Sequence, residues 1–133
     1  KKKDGSGVEM VTAPLTRGDI LAGVTRDSIL TLARDWHANK GYGHGVIQNM
    51  EVSERWLTMG EVVEAQKEGR LLESFGAGTA AVVSPVRSII YKEQEIEIPT
   101  GDHAGPVATH VWNTLRDIQY GYVAHPWSVP IQN

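Results

Sequence analysis

The stretch Phe75-Gly76-Ala77-Gly78-Thr79-Ala80-Ala81-Val82-Val83-Ser84-Pro85 constrains the fold of this chain more than any other. Apolar residues flank it on both sides, which places both arms against a core. Its middle holds only glycine, alanine and one threonine. Glycine admits positive φ and close backbone approach. Successive N–H groups in a tight turn can converge on an anion. Thr79 adds a hydroxyl at the rim. The residues alone leave two readings open: a turn that only reverses the chain, and a turn whose backbone something must reach.

The remaining composition narrows the class. A chain of 133 residues is enough for one domain with a core. Apolar residues make up 41% and charged residues 22%, the balance of a soluble globular domain. The net charge of −3, with no long basic stripe, gives no reason to expect a nucleic-acid partner. Cysteine is absent, which excludes disulfides and thiolate metal sites. No apolar run approaches the roughly 20 residues of a membrane span, and no signal peptide is visible. The chain begins at Lys1 rather than Met, and reads as a piece of something longer.

In order along the chain, Lys1–Gly7 reads as a turn or a solvated end. Val8–Thr12 alternates and is β-prone, a strand ended by Pro14. Leu15–Gly23 is a loop around Arg17-Gly18-Asp19, a tripeptide known from adhesion sites that nothing else here supports. A helix opens at Gly23-Val24-Thr25, with Thr25 as its cap and an apolar face of Ile29, Leu32, Ala33 and Trp36. It should end near Asn39, before the glycine-rich connector Gly41–Gly45. That connector lacks the Gly-Lys-Ser/Thr ending of a phosphate loop. Val46–Trp56 is a weaker strand candidate. Thr58-Met59-Gly60-Glu61 has capping-box spacing and starts a helix to about Gly69, with Met59, Val62 and Val63 inward. Leu71–Phe75 and Ala80–Ser84 form strands on either side of the glycine turn, and Val86–Tyr91 and Glu95–Ile98 form a hairpin. Pro106 starts the last helix, with Val107, Val111, Leu115 and Ile118 buried and Gly121 past its end. Strands and helices intermix without strict β-α-β alternation. That favours an α+β arrangement, a mixed sheet or part of a pseudo-barrel with flanking helices.

Two places could hold an anion: the turn at Gly76–Ala80, and the helix start at Gly23-Val24-Thr25, where free N–H groups and the helix dipole favour a phosphate. His37, His44, His103, His110 and His125 form no close ligand pair and read as surface or helix-end residues, so no metal site is expected. Gly-x-Ser-x-Gly is absent. Glu93, Glu95 and Glu97 alternate as on an exposed hairpin face. Lys40, Lys67 and Lys92 lie in polar surroundings, not the desolvated setting of a carbonyl-condensing lysine.

Four blocks then carry a resemblance. They are Glu9-Met10-Val11-Thr12-Ala13-Pro14-Leu15; Ile20-Leu21-Ala22-Gly23-Val24-Thr25-Arg26-Asp27-Ser28-Ile29-Leu30; Phe75-Gly76-Ala77-Gly78-Thr79-Ala80; and Ile118-Gln119-Tyr120-Gly121. In order and spacing they closely resemble branched-chain aminotransferases, pyridoxal-phosphate enzymes of fold type IV, in their fungal form. The resemblance covers nearly the whole chain. It implies that backbone amides at Val24 and Thr25 hold the phosphate of pyridoxal 5'-phosphate, and that Thr79 adds a further phosphate contact. It implies that Thr79 and Ala80 receive the substrate α-carboxylate. The reaction implied is transfer of an amino group between leucine, isoleucine or valine and 2-oxoglutarate. A homodimeric parent, placed in the cytoplasm or mitochondria, also follows from it.

Departures limit the transfer. Ala22 stands where the family usually has proline, and Ala77 where it often has serine. Neither change removes an assigned donor. The family's Schiff-base lysine, its glutamate on the pyridine nitrogen and an arginine on the phosphate would all lie upstream of Lys1. No lysine here matches the catalytic one. The chain is therefore expected to be the C-terminal part of the large domain, inactive alone. The alternatives are a non-catalytic binding or assembly module, and a related enzyme such as a D-amino-acid aminotransferase or aminodeoxychorismate lyase. The Gln119-Tyr120-Gly121 ending and the Gly-x-Gly-Thr-Ala turn favour the branched-chain group over those two enzymes.

Overall fold

The computed structural model describes residues 1–38, 50–79 and 82–131. The expected helix end at Asn39, the 41–45 connector, the 46–49 part of the strand candidate, Lys40, His44, Ala80 and Ala81 lie outside them.

The element order is β1 (Val8–Thr12), α1 (Val24–Ala38), β2 (Met50–Glu54), α2 (Met59–Lys67), β3 (Phe75–Ala77), β4 (Val83–Pro85), β5 (Ser88–Tyr91), β6 (Gln94–Glu97) and α3 (Pro106–Gln119). A single 3-10 turn, Leu15–Arg17, follows β1. The described residues form a small mixed domain of three helices and short strands, paired as three two-stranded sheets. β1 and β2 run parallel, from Val8 opposite Met50 to Thr12 opposite Glu54. A parallel pair needs a crossover, and α1 lies within it. β3 with β4, and β5 with β6, are antiparallel hairpins.

Helix periodicity sets the core. In α1, Ile29, Leu32, Ala33 and Trp36 fall on one face and are all buried. In α3, Val107, Val111, Leu115 and Ile118 do the same. Together with Met50 of β2 these two stripes form one cluster. Val8, Met10 and Val52 from the parallel pair, and Phe75, Val82 and Val83 from the glycine hairpin, pack against it. The core thus fixes α1 and the glycine hairpin to a common base. His110, expected at a surface or a helix end, lies mid-helix against Trp36, with ring centroids 4.5 Å apart and the planes tilted by 59°.

The ends of the elements follow local chemistry. Thr58 and Glu61 form the expected capping box on α2: Glu61 N–H donates to Thr58 Oγ1 at 3.1 Å, and Thr58 N–H to Glu61 Oε2 at 2.8 Å. Gly121, at φ 73°, closes α3 in a left-handed cap. Its N–H donates to Ile118 O at 3.2 Å, and Tyr122 N–H to Asp117 O at 2.9 Å. The last hairpin turns at Lys92 and Glu93, both at positive φ. This is a two-residue loop, tighter than the three residues expected from sequence.

One strand expectation fails. Leu71–Ser74 is not paired as a strand, and β3 begins only at Phe75. Leu71 N–H is taken by Ala65 O in the last turn of α2, at 3.2 Å, and the side chain of Glu73 leaves toward α3. The Glu73 carboxylate accepts from Val107 N–H at 2.8 Å and Ala108 N–H at 3.1 Å.

Candidate functional site

The two anion sites read from sequence lie at the start of α1 and in the loop between β3 and β4. Val24 is the first residue of α1, and Gly23 occupies the capping position, since its carbonyl accepts the first helical bond from Asp27 N–H at 3.1 Å. Thr25 therefore sits one step inside the helix rather than capping it. The N–H groups of Val24, Thr25 and Arg26 fall outside the ladder, as the first N–H groups of any helix do. Among the described residues no hydrogen bond reaches them, and none engages the Thr25 hydroxyl. Val24 turns its side chain out, 79% exposed.

The other two helix starts are finished by protein groups to different extents. In α2 the capping box takes Glu61 N–H, and among the described residues no hydrogen bond reaches Met59 or Gly60 N–H. In α3, Pro106 has no N–H to satisfy, Glu73 takes those of Val107 and Ala108, and Thr109 N–H enters the ladder on Gly105 O at 3.0 Å. A carboxylate has already taken the place of a bound anion at α3. At α1 that place is open.

Charge near the open end is organised by arginine. Arg26 Nη2 donates to Ala13 O at 2.9 Å and to Glu54 Oε1 at 2.7 Å. Arg34 Nη2 takes the other Glu54 oxygen at 2.9 Å. The hydrogen bond from Arg26, and then that from Arg34, hold the Glu54 carboxyl below the usual carboxylate range. Arg26 Nε is buried without a partner among the described residues.

Thr79 is exposed, and no hydrogen bond engages its hydroxyl among the described residues. The loop is closed by Gly78 N–H to Val82 O at 3.4 Å. Ala80 lies outside the described residues. A cleft of about 1020 Å³ is lined by Arg26, Ile29 and Leu30 of α1, Phe75 and Ala77 of β3, and Val107 of α3, among others. It brings the first turn of α1 and the strand entering the glycine loop onto one cavity. Val24, Thr25 and Thr79 are not among its lining residues.

Lys2 and Lys3 also reach this cleft, paired with Glu51 and Glu64. Those hydrogen bonds raise both ammonium pKa values. A carbonyl-condensing lysine needs the opposite shift. Among the described residues no group of three or more His, Asp or Glu side chains is arranged for a metal.

Three residues that organise this region escaped the sequence reading as site residues: Arg26, Glu54 and Glu73. A further one is Gly105, where a Cβ would stand 2.1 Å from Glu73 Cδ. The readable signal was weak. Glu73 precedes the glycine turn by a few residues, and Gly105 precedes a proline-started helix, but nothing local links positions so far apart.

Comparison with known proteins decides the relationship. The chain is 51% identical over 125 residues to the mitochondrial branched-chain-amino-acid aminotransferase of Schizosaccharomyces pombe, covering 92% of this chain. It is 47% identical over 123 residues to the cytosolic protein of that name from Saccharomyces cerevisiae, covering 90%. The chain is homologous to the C-terminal part of branched-chain-amino-acid aminotransferases. A cytosolic relative of Mus musculus is 42% identical over 123 residues. The chain spans only 27%, 30% and 29% of the lengths of these three relatives. No family model matches it. Among the described residues no helix is long and apolar enough to cross a membrane.

Proposed function

We propose that this chain is the C-terminal part of the large domain of a pyridoxal-phosphate-dependent branched-chain aminotransferase of fold type IV. The whole protein would move the amino group of leucine, isoleucine or valine to 2-oxoglutarate, as a homodimer in the cytoplasm or mitochondria. Two features support the partial-domain reading: the share of the relatives' length that the chain spans, and the parallel pair β1–β2, a sheet of two strands among the described residues. Parallel sheets are found buried within larger ones.

The observation that carries the function is the open start of α1, beside the start of α3, which Glu73 closes. A phosphate fits the groups present. The Val24 and Thr25 N–H groups and the Thr25 hydroxyl have no other partner among the described residues, and the helix dipole favours a dianion there. Thr79 Oγ1 donates the further phosphate hydrogen bond. The turn at Thr79 and Ala80 receives the substrate α-carboxylate. When bound, the cofactor supplies the electron sink for amino-group transfer. This chain's residues orient it and its substrate. No lysine here takes the catalytic role, so the segment alone is inactive.

Thr79→Val in the intact protein tests the reading. It removes a hydrogen bond to a charged group while keeping the side chain's shape. The expected loss of cofactor or substrate binding is about 1.5–3 kcal/mol. Unchanged cofactor affinity together with unchanged turnover would refute the role of Thr79.

A further inference from the structure

Arg26 sits where a cation is disfavoured, in the first turn of α1, close to the positive end of the helix dipole. Its partners account for the placement. Ala13 directly follows β1, and Glu54 is the last residue of β2, opposite Thr12 in the parallel register. One guanidinium nitrogen therefore joins the first turn of α1 to the carboxyl ends of both strands, through Ala13 O at 2.9 Å and Glu54 Oε1 at 2.7 Å. Arg34, two turns further along α1, binds the second oxygen of the same carboxylate. The helix is thus clamped at two points to one residue of the sheet. The Arg26 side chain is only 14% exposed, so this contact is built into the packing and is not a solvated surface pair. Asp27, the other charged side chain of that turn, is exposed and takes no part in the clamp.

In parallel α/β structures, ligands bind beyond the carboxyl ends of strands, where helix starts point. The Arg26 clamp fixes the direction of such a start relative to the two strands. The Arg26 guanidinium is engaged by Ala13 and Glu54, and its contribution is to geometry. The N–H groups it aims are those of its own turn, left open at Val24 and Thr25.

We propose that Arg26 is a positioning residue for a phosphoryl group. Held by Ala13 O and Glu54, it sets the direction in which the open N–H groups of α1 meet the phosphate. This inference rests on the cofactor reading given above. Lost alignment should weaken the phosphate contribution to binding and leave the rest of the ligand unaffected.

The test compares dissociation constants for pyridoxal 5'-phosphate and for pyridoxal, by absorbance titration of the intact protein, alongside thermal unfolding. In the unsubstituted protein the phosphorylated form binds more tightly. In Arg26→Gln that preference falls by at least about tenfold, the order of one lost hydrogen bond to a charged group, while pyridoxal affinity changes little. Arg26→Lys retains the charge but not the fork, and recovers only part of the preference. A merely structural role would lower the unfolding temperature and weaken both ligands in proportion. That outcome, or a preference retained in Arg26→Gln, overturns the proposal and leaves the cofactor reading standing. No preference in the unsubstituted protein overturns both. Should Arg26→Gln not fold, the same ratio measured for Arg26→Lys decides: an unchanged ratio overturns the proposal, a reduced one supports it.

Discussion

The starts of α1 and α3 rest on the same core cluster but are finished in opposite ways. At α3 every early N–H is accounted for: proline removes one, Glu73 accepts two, and Gly105 O begins the ladder. At α1 a glycine caps the helix, the early N–H groups stay open among the described residues, and the nearby long-range contact is made by a cation, Arg26. Both helices bury comparable stripes, so packing alone does not account for the difference. What separates them is the charge placed at the helix end. Glu73 gives α3 its anion internally. At α1 the first N–H groups meet no internal anion among the described residues, and Arg26 ties that turn to the sheet.

The largest effect expected from breaking this contrast comes at the closed end. Glu73→Ala should cost about 1.5–3 kcal/mol of folding stability, since two buried N–H donors lose a charged acceptor. Gly105→Ala should act through the same contact, because its Cβ would displace the Glu73 carboxylate. A double-mutant cycle read by denaturant unfolding should therefore show the two losses to be strongly non-additive. Additive losses would mean that Glu73 does not close α3.

A smaller loss is expected at α2. Thr58→Ala removes the side-chain acceptor of Glu61 N–H at the start of α2, and should cost about 1 kcal/mol. It should leave the preference for pyridoxal phosphate over pyridoxal unchanged, because α2 takes no part in the α1 clamp. A changed preference would show that the helix starts are not independent.

The smallest effect is a pH dependence. Arg26, and then Arg34, depress the folded-state pKa of Glu54 below its unfolded value of about 4.3. Such a group adds stability above the unfolded pKa and loses it as pH falls through the folded one. The stability gap between the unsubstituted protein and Glu54→Gln should be present at neutral pH and shrink as pH falls below the unfolded value of about 4.3. The carboxylate is partly solvated, so solvent screening keeps the gap small. A gap that stays constant down to pH 3 would contradict the pairing.

These contrasts also mark what the sequence could reveal. The stripes of α1 and α3, the capping box at Thr58, and Gly121 as a stop were readable because each signal lies within a few residues. The parallel pairing of β1 with β2 was not, because its partners lie 42 residues apart, as between Val8 and Met50. Leu71–Ser74 looked like a strand by composition, but Leu71 N–H goes to Ala65 O and the Glu73 carboxylate to α3, 34 residues on. Thr25 looked like a cap because threonine commonly is one, while Gly23 holds that position. Val24, Thr25 and Thr79 are candidates by motif chemistry and resemblance, and their role as ligand-binding residues stands as a proposal. The arginine and carboxylates that orient the region could not be named from sequence, since their partners depend on the fold.

The proposed phosphate site is the open start of α1, with its backbone N–H groups as donors. Val24→Pro tests it most directly. Proline is tolerated at the first position of a helix and deletes only the N–H, and the Val24 side chain is largely exposed. Dissociation constants for pyridoxal 5'-phosphate and pyridoxal would be measured on the intact protein. Affinity for the phosphorylated form is expected to fall by about 1.5–3 kcal/mol, with pyridoxal binding and unfolding temperature almost unchanged. Undiminished affinity for pyridoxal 5'-phosphate in a folded Val24→Pro protein would contradict the proposed site.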